Sequence, residues 1–155
     1  MTTTQDPIQF LTIEEAREID KAMLSSMDKF MTRIAVSSLR IITKIAKDMQ
    51  VHGEELTPQQ IVQWIENDSL KRRAQGADAA FLKWDSSQPD LDFEDSRQDQ
   101  VTSANLSTHE KFLTRMVISA TQTLQTIAKD YSSHIENLSI EQIIAWTERD
   151  VKTRQ

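Results

Sequence analysis

Residues 24–73 of this chain align without a gap on residues 106–155, 82 positions further on. The 50 aligned positions hold 20 identities, and most of the others exchange like for like, as in Met31/Leu113, Ile34/Met116 and Val36/Ile118. LSSMDKFMTRI meets LSTHEKFLTRM, IAKD meets IAKD, and LTPQQIVQWIEND meets LSIEQIIAWTERD. A repeat of this length marks a duplicated structural unit, so any fold proposed for one copy must serve the other.

Each copy opens on a helix-start signature, Ser25-x-x-Asp28 or Ser107-x-x-Glu110, in which the serine oxygen and the acid can satisfy amides the first turn leaves free. In copy one Met27, Phe30, Met31, Ile34, Ala35, Leu39, Ile42, Ile45, Ala46 and Met49 recur by threes and fours. Copy two repeats the stripe with Phe112, Leu113, Met116, Val117, Ala120, Leu124, Ile127, Ala128 and Tyr131. That spacing predicts an amphipathic helix of about 24 residues, roughly 36 Å long. After a short connection, Thr57-x-x-Gln60 with Pro58, or Ser139-x-x-Gln142, starts a second helix. It should bury Ile61, Val62 and Ile65 in copy one, and Ile143, Ile144 and Val151 in copy two. Each copy therefore reads as an antiparallel helical hairpin.

A hairpin closes no core alone. The predicted fold is all-α: two duplicated hairpins, 24–73 and 106–155, packed as a pseudo-twofold four-helix bundle. An alternative pairs hairpins between chains of a homodimer. An added helix starts at Thr12, with Glu15 as its capping partner and Ile13, Ala16, Ile19, Ala22 and Met23 on one apolar side. Two glycines and three prolines in 155 residues favour long helices over a turn-rich β fold. The expected layout is a disordered tail to residue 11, helix and first hairpin over 12–84, an acidic linker over 85–107, and the second hairpin over 108–155. Residues 77–84 read as one more short helix.

The net charge of −6 is concentrated: residues 85–108 hold six acids and one base, so the rest sums to −1. Without cysteine, disulfides, zinc–thiolate sites and thiol catalysis are excluded. A polar start without an apolar h-region, and no run of about 18 apolar residues, give the expectation of a cytoplasmic protein.

Four constellations are candidates for chemistry or recognition. The pattern Asp-x-x-x-His-x-Glu occurs twice, as Asp48, His52, Glu54 and as Asp130, His134, Glu136. Such an oxygen/nitrogen set can bind a divalent ion. The favoured reading is plainer: a histidine past a helix C-terminus, interacting with the dipole or bonding the aspartate four residues back. The second candidate is a basic face on the first long helix, Lys29, Arg33, Arg40, Lys44 and Lys47, of which copy two keeps Lys111, Arg115 and Lys129. It suits phosphates in principle, but in an acidic chain with no aromatic residue interleaving the stripe a solvated outer face is preferred; an intermediate reading lays the acidic linker against it, within the chain or across a dimer. The third is Trp64/Trp146, either a binding hot spot or a packing residue whose indole bonds Gln60 or Asp68. The fourth is the apolar group Phe81, Leu82, Trp84, Leu91 and Phe93, which either docks on a partner or covers an open end of the bundle.

No glycine-rich phosphate loop, nucleophile elbow or tuned carboxylate pair is visible, so no enzyme and no cofactor is expected. The reading is a non-enzymatic interaction module that binds a protein partner: an adaptor, assembly factor or regulatory subunit. Lys29, Arg33, Arg40, Lys44, Lys111, Arg115, Trp64 and Trp146 are the candidate contacts. A nucleic-acid accessory protein and a metal or small-ligand sensor are the alternatives.

Overall fold

A computed structural model describes residues 10–82 and 101–154, and these form five α-helices with no strand. They are α1 (Ile13–Lys21), α2 (Ser26–Met49), α3 (Pro58–Gln75), α4 (Thr108–Asp130) and α5 (Ile140–Arg154). Short 3-10 turns lie at Gly53–Glu55, Ala77–Ala79 and Ile135–Asn137.

The capping signatures act as their chemistry dictates. Thr12, Thr57 and Ser107 each accept the amide three residues on, and Glu15, Gln60 and Glu110 reach back to the cap amide. Ser139 and Gln142 exchange the same two bonds. Asp28 departs from the expected box. Ser25 accepts its amide, but its carboxylate takes the Ser25 hydroxyl because an aspartate is one methylene shorter than the glutamate of copy two. The long helices end alike. Gln50 and Ser132 adopt left-handed φ of 60° and 51°. The next amides, Val51 and Ser133, then turn back to Ala46 and Ala128 at 3.0 and 2.9 Å. This closes orphan carbonyls of the last turn in a Schellman arrangement.

The two copies meet within one chain. α2 lies along α4, and the second helix of each copy packs on the long helix of the other: α5 on α2, and α3 on α4. Packing of α3 on its own α2 is slighter. α2 is consequently buried nearly all round, from Ile34 through Leu39. Ile42 and Ile45 meet the same core as Leu124, Ile127, Ile61, Ile65 and Ile143. Burying each such side chain stabilises the fold by about 1.5–3 kcal/mol.

Several expected core positions face outward. Met27, Phe30 and Met31 are 68, 42 and 47% exposed, and Phe112 is 58% exposed. Ile13 and Met23 are exposed too, leaving Ile19 as the buried residue of α1. Periodicity locates a stripe along a helix but not how far along it a neighbour reaches. The supposed tail and linker are tied down where described. Phe10 stacks on Phe81 at 4.9 Å between ring centroids. Val101, Ala104 and Leu106 are buried, so the predicted linker becomes part of the core before α4 begins. Trp84, Leu91, Phe93 and the acids of residues 85–99 lie outside the described residues.

Candidate functional site

The shared polar residues of the repeat are engaged in paired contacts, several of which join one copy to the other. His52 and His134 stack face to face, with ring centroids 3.5 Å apart and planes within 1°. Each ring donates to the glutamate of the opposite copy. His52 Nδ1 lies 2.6 Å from Glu136, and His134 Nδ1 lies 2.5 Å from Glu54. The second oxygen of each glutamate accepts a backbone amide, Gly53 to Glu136 at 2.9 Å and Ile135 to Glu54 at 3.1 Å. The Glu136 bond, acting against desolvation, holds His52 above its ordinary pKa. Burial pushes Glu54 and Glu136 up, but the histidine and amide bonds outweigh it and hold both carboxyls below their ordinary value.

This arrangement corrects the expectation that each histidine works inside its own copy. His52 and His134 stand at the N-terminal cap of a 3-10 turn, in extended conformation, rather than on the dipole of the preceding helix. Asp48 and Asp130 do not bond them. They accept the indole N–H of Trp64 and Trp146 at 2.9 and 2.6 Å, which also corrects the expectation that Gln60 or Asp68 would do so. An aspartate in the last turn of the long helix reaches the second helix because the chain reverses between them. Of the six residues suggested as metal ligands, the fold gathers His52, His134 and Glu136, whose ligand atoms lie within 4.8 Å of one another. A metal ion there would have to compete with the histidine–carboxylate bonds already made.

Much of the basic face of α2 is engaged within the chain, while Lys47 is exposed. Lys29 donates to the Asp20 carbonyl at 2.7 Å, Arg33 pairs with the Asp20 carboxylate, and Arg40 pairs with Glu15. Lys44 pairs with Asp48 at 3.1 Å. Copy two repeats the first two contacts 82 positions on: Lys111 donates to the Thr102 carbonyl and Arg115 to the Thr102 hydroxyl, both at 2.8 Å. Lys29/Lys111 and Arg33/Arg115 thus grip the segment preceding each copy. Glu66 and Glu148 make another pair of equivalent bonds, accepting the amides of Asn105 and Met23.

A buried ion network escaped the sequence reading. Arg72, 6% exposed, donates to Asp68 at 2.9 Å, to the Leu82 carbonyl at 2.9 Å and to Glu110 at 2.7 Å. Arg73 bonds the other oxygen of Glu110 at 2.9 Å. Glu110 itself is fully buried. Arginines at a helix end read naturally as dipole partners, and Glu110 as a capping glutamate. The retained Asp68/Asp150 and Arg72/Arg154 pairs were the available signal. In copy two the equivalents are open: Arg154 reaches Asp150 at 3.1 Å and Asp28 at 3.4 Å with its side chain 57% exposed.

Once these contacts are assigned, the shared large apolar residues left at the surface are Phe30 and Phe112. Met27 and Met31 flank Phe30 on the same face of α2. Beside them a groove of about 260 Å³ opens between α2, α4 and α5, walled by Met31, Ile127, Ile143 and Trp146. No described helix is long and apolar enough to cross a membrane.

No curated protein and no solved structure matches the chain. One family model does, over residues 11–89 and again over 91–154, so that each matched segment carries one copy of the repeat almost entirely. With nearly the whole length covered, the chain belongs to the family described as NDH complex assembly factor CRR9.

Proposed function

We propose that this chain is a non-enzymatic assembly factor that holds a component of the NDH complex by protein–protein contact. The observation that carries the reading is the exposed pair Phe30/Phe112, retained at equivalent positions although the core needs neither. Phe30 with Met27 and Met31 on one face of α2 has the composition of an adaptable binding surface. Of the basic residues first considered for this role, Lys29, Arg33, Arg40, Lys111 and Arg115 hold neighbouring segments of the same chain and Lys44 pairs with Asp48 on its own helix, so recognition is assigned to the apolar face. The body is read as a pseudo-twofold four-helix bundle of two hairpins with α1 added. Reciprocal contacts at positions 82 apart support that description.

The test is binding of purified NDH-complex components to the protein and to Phe30→Glu and Phe112→Glu variants. Both substitutions are at exposed sites and should leave helicity and melting unchanged. Loss of binding, with a stalled NDH complex in cells carrying the variants, is the expected result. Normal binding and normal complex accumulation with both variants would remove the reading.

A further inference from the structure

Two equivalent grooves flank the body, and among the described residues a segment of the chain crosses one of them. In copy one, residues 77–82 run across the groove beside α3. Phe81 and Leu82 donate their backbone amides to Asp68 at 2.8 and 3.0 Å, and the Leu82 carbonyl accepts from Arg72 at 2.9 Å. Leu82 is fully buried, and the Phe81 ring meets Trp64 edge to face at 6.0 Å. One carboxylate and one guanidinium thus read the backbone of a two-residue segment, while its side chains enter an apolar slot.

Copy two retains the reading groups, and among the described residues no segment crosses its groove. Asp150, Arg154 and Trp146 stand where Asp68, Arg72 and Trp64 stand in copy one, and they line the open groove. The walls differ in exposure as an unfilled groove requires. Met31 is 47% exposed, and Ser119 and Thr123 are exposed. Their counterparts Leu113, Ser37 and Ile41 are 1, 0 and 1% exposed. Among the described residues no backbone amide bonds the Asp150 carboxylate, which pairs with Arg154.

We propose that the groove between α2, α4 and α5 binds a short apolar segment of a partner protein, an aromatic–aliphatic pair in extended form. Asp150 accepts the pair's backbone amides, Arg154 donates to its carbonyl, and Trp146 packs on its ring. This rests on the reading of the chain as an assembly factor and names what that factor holds. Charge selects the occupant. Asp28 and Asp150 place two carboxylates at the groove against the single Arg154, which disfavours an acidic segment. The chain's own Leu91 and Phe93 are set among Asp90, Asp92, Glu94 and Asp95, whereas Phe81-Leu82 is followed by Lys83. A neutral or basic segment from another protein therefore fits better than the acidic linker.

The probe is a capped synthetic peptide of residues 76–83, titrated into the full-length protein while the two groove tryptophan indole resonances are followed by NMR. Copy one is already occupied by a tethered segment at high effective concentration, so the free peptide should enter copy two. The expected result is a saturable shift of Trp146 with Trp64 unmoved. Affinity should be about ten-fold weaker in Asp150→Asn, from loss of a charged acceptor. A peptide with serine in place of both Phe81 and Leu82 should give no shift. A titration with no saturable shift, equal shifts of both tryptophans, or undiminished affinity in Asp150→Asn overturns the proposal. So does a Trp146 resonance that moves in a Leu91→Ser/Phe93→Ser variant without peptide, which would make the linker the occupant. No NDH component enters this experiment, so a failed titration leaves the Phe30/Phe112 result standing. Failure of that result leaves the titration interpretable.

Discussion

Gly53 and Ile135 occupy equivalent positions in the two copies, and they touch. A Cβ built on Gly53 would lie 2.9 Å from Ile135 Cβ, and 3.1 Å from Cγ2 atoms of both Ile135 and Ile42. Ile135 is fully buried, so its Cβ cannot swing aside as the tip of a flexible side chain would. The glycine is required for this close approach, since its backbone shows no left-handed φ. Gly53→Ala then brings two opposed effects. Reduced freedom of the unfolded chain favours the variant by about 0.4–1 kcal/mol. Overpacking costs about 1–3 kcal/mol. Contact at 2.9 Å with a branched, backbone-anchored carbon puts overpacking ahead, for a net loss of about 1–2 kcal/mol. Urea unfolding should show a lower midpoint with an unchanged slope. Ile135→Ala alone should cost about 2–5 kcal/mol through the cavity it leaves. In that background the added methyl has room, so Gly53→Ala should become neutral or favourable. A destabilising Gly53→Ala in both backgrounds, or a stabilising one in the native background, would refute the claim that the two copies meet at this point.

Three further outcomes follow from the contacts between copies. The histidine clasp makes stability depend on pH. His52 is raised above its ordinary 6.5, so its contribution is complete below 6.5 and lost as pH rises through the raised value. Glu54 and Glu136 are lowered from 4.5, so theirs is complete above 4.5 and lost as pH falls through the lowered values. The stability gap between the native protein and His52→Ala, from unfolding curves, should be wider near about pH 6 than near about pH 8.5; equal gaps would contradict this. Arg72→Ala should cost about 3–5 kcal/mol by stranding buried Glu110, whereas Arg154→Ala, at the equivalent but exposed position, should cost under about 1 kcal/mol in the same denaturation assay. Arg33→Ala with Arg40→Ala should speed amide exchange in α1 while leaving the α4 core protected. High salt should do the same to a lesser degree.

The fold class and the helix starts were legible because they are local. Capping pairs lie three residues apart and apolar stripes three or four apart, so adjacent residues contain the whole argument. The helix-end Asp48 and the second-helix Trp64 were each recognised as shared, yet paired with the wrong neighbours. The Asp48–Trp64 bond spans 16 residues and depends on how the connection turns. Glu110 was read as a cap, and it is one, but its other duty joins it to residues 38 positions earlier. The outward-facing Met27 and Phe30 show the same limit from the apolar side. They satisfy the periodicity of a buried stripe, and only the extent of the neighbouring helices leaves them uncovered.

The sequence by itself determined that there are two copies of one helical unit, where their helices begin, and which residues both retain. It determined this because duplication and capping are written in residue order. Tertiary structure decided what the retained residues are for, because many of their partners stand in the opposite copy, in the preceding segment or on the other helix of the hairpin, where no short spacing reveals them. Arginine, aspartate and tryptophan at matched positions hold residues 77–82 in one groove, while among the described residues its twin stands open. No spacing within a single copy distinguishes the two.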